Sequence, residues 1–247
     1  MIKQQAFRRI HITISIFIIS VSFASCFKTY VEIKISHTLE PFNKVVINSP
    51  FNVFLAESDH FDVDVVGDKE MAPYVTFNVV DSILYITNEA KSKWTNPQSN
   101  VVEVTIYSKP LEQLAVNVTC NTQTLTPITS NEFGIILGGK ANEATLELDC
   151  KNFYYWNNFP CGGMLTLTGK TENLKLWNFA IMSINAKELN TTNAIVENNS
   201  KGDIKVTVNK RIEYAINGIG NIYLFGSPVE IISTGITSSG QLIIHEE

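Results

Sequence analysis

Apolar and polar residues alternate in short runs along almost the whole chain after residue 40. Val45–Ile47, Asn52–Leu55, Asp62–Val66, Ser82–Thr87, Val101–Tyr107, Thr145–Leu148 and Asp203–Val208 all keep a period of two. That period turns one face of a strand inward and the other outward. Asn, Gly, Ser, Thr and Pro fill the gaps, and these residues tolerate turn conformations. The only helical hint is a turn or two around Asp68–Tyr74. The pattern predicts an all-β fold of short strands.

A repeat organises those strands. Ile216-Asn217-Gly218-Ile219-Gly220-Asn221-Ile222-Tyr223-Leu224 reads almost position for position like Ile47-Asn48-Ser49-Pro50-Phe51-Asn52-Val53-Phe54-Leu55. Counting back from Asn217, asparagines follow at Asn198, Asn178 and Asn157, with spacings of 19, 20 and 21, and Gly138 lies 19 earlier again. A period near 20 without helix is what a parallel β-helix, or β-solenoid, requires, each short strand pairing with its equivalent one coil later. Stacked asparagines are then expected to hydrogen-bond along the axis. Gly202, Gly218, Gly220 and Gly240 are expected at corners with positive φ. A β-sandwich with regular turns is the alternative, but it gives no reason for a recurring asparagine.

The N-terminal half is less regular. Phe51–Leu55, Phe61–Val66, Thr76–Val80, Ile83–Thr87 and Val101–Tyr107 read as hairpin-forming strands, and the polar stretch 91–100, with Trp94 and Pro97, reads as a loop. A soft internal boundary is expected at 110–125, where antiparallel pairing gives way to coils.

The first residues change the compartment. Lys3, Arg8 and Arg9 precede an apolar run from Ile10 to Phe23, the length of a signal-peptide core and short for a membrane-spanning helix. Phe23-Ala24-Ser25-Cys26 resembles a bacterial lipobox, although Phe is atypical at its first position. The expected organisation is a leader over 1–25, a lipidated Cys26, a tether over 26–40 and a β domain over 41–247. Each buried CH₂ contributes about 0.8 kcal/mol, so acyl chains on Cys26 would hold the protein on a membrane. This places it in the outer membrane or at the cell surface, with the periplasmic face as the other choice.

Composition narrows the partners. The net charge is −5, and removing residues 1–25 leaves 16 basic against 24 acidic residues, a net −8. Such a domain repels phosphate backbones, which argues against nucleic acid. Cys120, Cys150 and Cys161 are an odd set without a CxxC and read as small buried hydrophobes. His37, His60 and His245 lie apart from one another and from cysteine, so no metal site and no cofactor are expected.

Catalytic motifs do not emerge. The sequence holds no G-x-S-x-G, Walker loop or H-E-x-x-H, and Gly218-Ile219-Gly220 is not followed by a helix as a dinucleotide loop would be. Asp62 and Asp64 share one strand face, with Glu57 and Asp59 upstream, and read as a solvated acidic face rather than an acid/base pair. The positive signal is aromatic. If Leu174, Leu176, Ala194 and Val196 point inward, then Tyr154, Trp156 and Trp177 point outward and stack between coils. Exposed rings on a flat β-face would suit a glycan or protein ligand. A one-residue slip in register would reverse the faces.

Three stretches resemble a known family. Phe42-Asn43-Lys44-Val45-Val46-Ile47-Asn48-Ser49-Pro50-Phe51-Asn52-Val53 opens the match. Asn198-Asn199-Ser200-Lys201-Gly202-Asp203-Ile204 continues it, and Ile216-Asn217-Gly218-Ile219-Gly220-Asn221-Ile222-Tyr223 with Gly226-Ser227-Pro228 closes it. Over roughly residues 40 to 245 the chain resembles the auto-transporter adhesin head known as the head GIN domain, common in Bacteroidetes lipoproteins. The resemblance implies a single-stranded parallel β-helix of pectin-lyase-like appearance, a role in adhesion and no catalytic residues. Trp156-Asn157-Asn158 and Trp177-Asn178-Phe179 depart from the family's small-residue corners. The expected function is a non-enzymatic envelope lipoprotein acting as a binding or adhesion module. The alternatives are a polysaccharide lyase or hydrolase on the same scaffold, or a structural envelope component.

Overall fold

The computed structural model describes residues 30–91, 102–157 and 160–245. The expected leader, Cys26 and nearly all of the 91–100 loop lie outside these residues. Two compact units divide the chain at residue 30, and the second, Val31–Glu247, is the one described. No helix among the described residues is long and apolar enough to cross a membrane.

Sixteen strands account for the described chain. The first seven are β1 (Glu32–Thr38), β2 (Lys44–Ile47), β3 (Asn52–Glu57), β4 (Asp62–Asp68), β5 (Val75–Val80), β6 (Ile83–Asn88) and β7 (Glu103–Ser108). The rest are β8 (Gln113–Val116), β9 (Asn121–Thr124), β10 (Glu132–Leu137), β11 (Asn142–Asn157), β12 (Gly162–Ser200), β13 (Ile204–Ile216), β14 (Ile222–Phe225), β15 (Glu230–Ile236) and β16 (Leu242–Ile244). A single 3₁₀ turn, Ala72–Tyr74, sits where the helical hint falls.

From β8 onward every pairing among the described residues is parallel, as a β-solenoid demands. Strands stack in two columns whose inward side chains form one apolar core. The long strands bend from one column into the other. β11 meets β9 with residues 143–145 and β10 with residues 152–157. β12 pairs with β11 through 163–177 and with β13 through 184–198, and it stacks on itself, since the Ile181 amide donates to the Cys161 carbonyl at 3.2 Å.

The N-terminal strands are mixed, and chain order is not spatial order. β2 lies between β6 and β8, and β3 between β7 and β9, all in parallel. The segment 44–57 is therefore a coil inserted between two later ones. Antiparallel pairing is confined to the near end: β5 on β6, β4 on β7 and β1 on β4. Phe42 and Phe61 meet edge to face there, 5.3 Å apart, and Met71 and Ala72, at the start of the 3₁₀ turn, are buried in the same core.

The asparagine column is real but one residue off at both ends. Asn157, Asn178 and Asn198 point inward and are fully buried. Their register partners are Leu137 on one side and Ile216 on the other, not Gly138 and Asn217. The inner column therefore runs Ile47, Val116, Leu137, Asn157, Asn178, Asn198, Ile216. Asn217 faces outward and joins a second ladder, donating to Asn199 Oδ1 at 3.0 Å and accepting from Thr237 Oγ1 at 2.7 Å. The coil from Asn198 to Ile216 spans 18 residues, so matching asparagine to asparagine slips the register.

The corner glycines also have a different cause from the one expected. Positive φ occurs at Gly163, Gly169 and Gly226, not at Gly202, Gly218, Gly220 or Gly240. A Cβ on Gly220 would collide with the Gly202 carbonyl, and one on Gly240 with the Gly220 carbonyl. These corners need glycine because successive backbones stack in contact along the axis.

Candidate ligand-binding face

The inner asparagines are corner braces. Asn157 Nδ2 donates to the Phe179 carbonyl at 2.9 Å, and the Phe179 amide donates back to Asn157 Oδ1 at 2.7 Å. Asn198 Nδ2 donates to the Gly202 and Gly220 carbonyls, while its Oδ1 accepts from the Ser200 amide. Each side chain serves backbone groups that the bend removes from the ladder, which is why a polar residue is tolerated in the core.

Leu174, Leu176, Ala194 and Val196 are buried, so the outer face carries Tyr154, Trp156 and Trp177 as the alternation predicts. Trp156 stands directly beside Trp177 on adjacent coils and is 39% exposed. Tyr154 does something else. It pairs with Gly134, and a Cβ on that glycine would fall inside its ring. The ring therefore lies flat across the neighbouring coil, and its hydroxyl accepts from Gln113 Nε2 at 2.8 Å. Gly134 is required by the tyrosine rather than by a turn.

A further outer amide ladder borders these rings. Asn152 and Asn173 are partners in register, Asn173 Nδ2 donates to Asn152 Oδ1 at 2.9 Å, and Asn193 Nδ2 donates to Asn173 Oδ1 at 3.1 Å. Its spacings of 21 and 20 were visible in the sequence, hidden beneath the more conspicuous inner column. A depression of about 380 Å³ lies between ladder and rings, lined by Glu132, Asn152, Tyr154, Asn173, Lys175 and Trp177. A second, of about 530 Å³, shares Glu132 and Tyr154 and continues toward Lys44 and Glu112, whose charged groups are 4.0 Å apart.

The acidic run serves the scaffold. Glu57 accepts from the Thr129 amide at 2.6 Å and its hydroxyl at 2.7 Å, and Asp62 lies 3.3 Å from His60. Asp64 accepts from Lys34 at 2.8 Å and Ser36 at 2.6 Å. Burial pushes the Asp64 carboxyl up, but the bonds from Lys34 and Ser36 outweigh it and leave it below its ordinary value. Cys120, Cys150 and Cys161 are free and buried. Burial pushes the Cys120 and Cys150 thiols up to about 11 and raises Cys161, which keeps them protonated and unreactive near neutrality. Among the described residues no group of three His, Cys, Asp or Glu could hold a metal ion.

A parallel solenoid with a grooved outer face defines a β-solenoid scaffold, and comparison with known proteins agrees on that fold. The chain belongs to the family described as "Putative auto-transporter adhesin, head GIN domain", whose model matches residues 41–228. A solved structure of a putative adhesin from Bacteroides fragilis is similar, with TM-score 0.79 and 18% identity, covering 88% of this chain and 98% of that one. A putative adhesin from Parabacteroides merdae gives TM-score 0.61 and 15% identity, covering 87% of this chain and 96% of that one. A structure described as a putative lipid binding protein from Parabacteroides distasonis gives TM-score 0.59 and 16% identity, covering 87% and 97%. At these identities the likeness is one of fold. No curated protein matches the sequence.

Proposed function

We propose that the protein is a non-enzymatic binding or adhesion module of the cell envelope, held on a membrane by a lipid on Cys26. Its outer face, with Trp156 and Trp177 side by side and Tyr154 flat beside them, is the surface that meets the ligand. The observation that carries this reading is the tryptophan pair. Large rings exposed on a rigid parallel sheet bury much area on contact and lose little conformational freedom. The family to which the chain belongs supports a binding role.

The test is the double substitution Trp156→Ala, Trp177→Ala in the full chain, assayed against glycans and extracellular-matrix proteins. Loss of retention supports the reading, and undiminished retention removes this face from the function. Metabolic labelling with an acyl-chain probe tests the anchor: the wild type should be tagged and Cys26→Ser should not.

A further inference from the structure

We infer that the groove between the Asn152–Asn173–Asn193 ladder and the Trp156–Trp177 pair binds an extended, uncharged oligosaccharide lying along the solenoid axis. The inference rests on the reading of this face as the contact surface and assigns it a ligand class. Three features carry it: the shape of the groove, its hydrogen-bonding inventory and its charge.

The shape is linear. Asn152 and Trp156 are four residues apart on one strand, as are Asn173 and Trp177 on the next, so the two walls stand about 13 Å apart. Successive coils repeat at about 4.8 Å, and the walls run along that axis rather than closing round a point. Asn173–Asn193 and Asn178–Asn198 contacts fix the next offset at 20 residues, which brings Lys175 beside Ile195 on the floor and Trp177 beside Glu197. A chain of rings fits such a trough better than a compact ligand does.

The inventory is that of a sugar site. A primary amide has two N–H donors and two acceptor lone pairs. Within the ladder Asn173 uses one donor toward Asn152 and one lone pair from Asn193, leaving one of each. A row of paired donor and acceptor sites complements vicinal hydroxyls, while the opposite wall offers the apolar surface of two neighbouring indoles to the C–H groups of a pyranose. A lipid tail would leave the ladder's spare donors and acceptors unpaired at a cost.

Charge selects the class. Glu132 and Lys175 lie in the same depression with opposite signs, and Lys44 is offset by Glu112 in the adjoining one. The chain as a whole is acidic. A sulfated or uronic-acid polymer would meet no net positive field, whereas a neutral glycan is indifferent to it.

The experiment presents the full chain, purified in detergent, to an array of neutral oligosaccharides, heparin and polygalacturonate fragments, and matrix proteins. Retention on neutral oligosaccharides, insensitive to raised ionic strength, is the expected result. Trp177→Ala should weaken it about tenfold or more. Trp177→Phe should restore much of it, Asn173→Ser should weaken it severalfold, and Lys205→Ala on the other strand column should leave it unchanged. Thermal melts of each variant separate lost contacts from lost fold, and Trp156→Ala, at an exposed position, gives a second reading if Asn173→Ser unfolds. Preference for the anionic fragments, or salt-sensitive retention, overturns the assignment. If only a matrix protein is retained, and loses retention with Trp156→Ala and Trp177→Ala, the contact face stands but its ligand is not a glycan. If no probe responds to the tryptophans, both the ligand class and the face are wrong.

Discussion

The two ends of the solenoid solve the same problem differently. At the near end the chain stops coiling, and antiparallel β5, β4 and β1 extend the columns. Val63 and Val65 of β4 are fully buried, and Phe42 packs on Phe61. At the far end β15 and β16 repeat the register of the coil before them, and no described strand follows. Ile212, Ile216 and Leu224 are 0% exposed, while their partners one coil on, Ile231, Ile236 and Ile244, are 41%, 51% and 52% exposed. Residue type and register are nearly constant across that step, so burial comes from having a coil on both sides. Stability in such a fold is close to a sum over neighbouring coils, and the last described coil has a described neighbour on one side only.

The largest effect that can break this comparison is a matched pair of truncations. Ile212→Ala removes a side chain enclosed on both sides and should cost about 2–5 kcal/mol of unfolding free energy. Ile231→Ala removes the same side chain one coil later, where much of it already meets solvent, and should cost less than about 1 kcal/mol. Urea denaturation of both variants decides it. Equal losses would mean that the far end is as enclosed as the middle.

How much of this was legible follows from the same geometry. The alternation around Leu174–Trp177 revealed which side chains face inward, because parity depends only on local sequence. The repeat of Ile47-Asn48 at Ile216-Asn217 was also true to the structure, since both isoleucines occupy the inner column. Length changes between coils were not legible. The 18-residue coil ending at Ile216 moved Asn217 to the outside, and an asparagine match cannot reveal that. The insertion of β2 and β3 between later coils was equally hidden, because strand order is a long-range outcome. For the candidate face, the outward side of all three rings could be placed, but the pose of Tyr154 could not. Its flat pose depends on Gly134, a residue 20 positions earlier whose missing side chain makes the room.

A second, smaller test sharpens what the next coil supplies. Asn157 and Asn178 are neighbours in the inner column, each with a coil beyond it. Asn157→Leu deprives the Phe179 amide of its acceptor and should cost about 1–3 kcal/mol. Asn178 donates to the Met182 carbonyl and to Asn198 Oδ1, yet both acceptors also receive Ser200, through its hydroxyl and its amide. Its own Oδ1 is buried with no partner. Asn178→Leu should therefore lie within about 1 kcal/mol of the wild type. A loss as large as that of Asn157→Leu would show that the column needs amides as a continuous ladder rather than as separate braces.

The smallest expected effect lies at the seam that closes the near end. β1 is held on β4 along Glu32–Thr38, and Lys34 and Ser36 both bind Asp64 across that seam. Asp64 is lowered in the folded chain, so its contribution is present above the ordinary carboxyl value of 3.8 and fades as pH falls through the folded value. Lys34 is raised, by its hydrogen bond to Asp64 and then by that carboxylate's charge. Its contribution is complete below 10.5 and fades as pH climbs through the folded value. The pair is therefore intact across the neutral range and opens first on the acid side. The Lys34 side chain is exposed, so solvent screens the pair and the global unfolding curve should barely register its loss. Protection of β1 amides in hydrogen exchange is the sensitive measure. In the wild type, β1 protection should decline below about pH 4 while that of β16, the strand at the open end, stays low throughout. Lys34→Met should lower β1 protection at neutral pH and flatten its decline in acid. Full retention of both the protection and its pH profile would assign closure of that end to the backbone ladder and the Phe42–Phe61 contact alone.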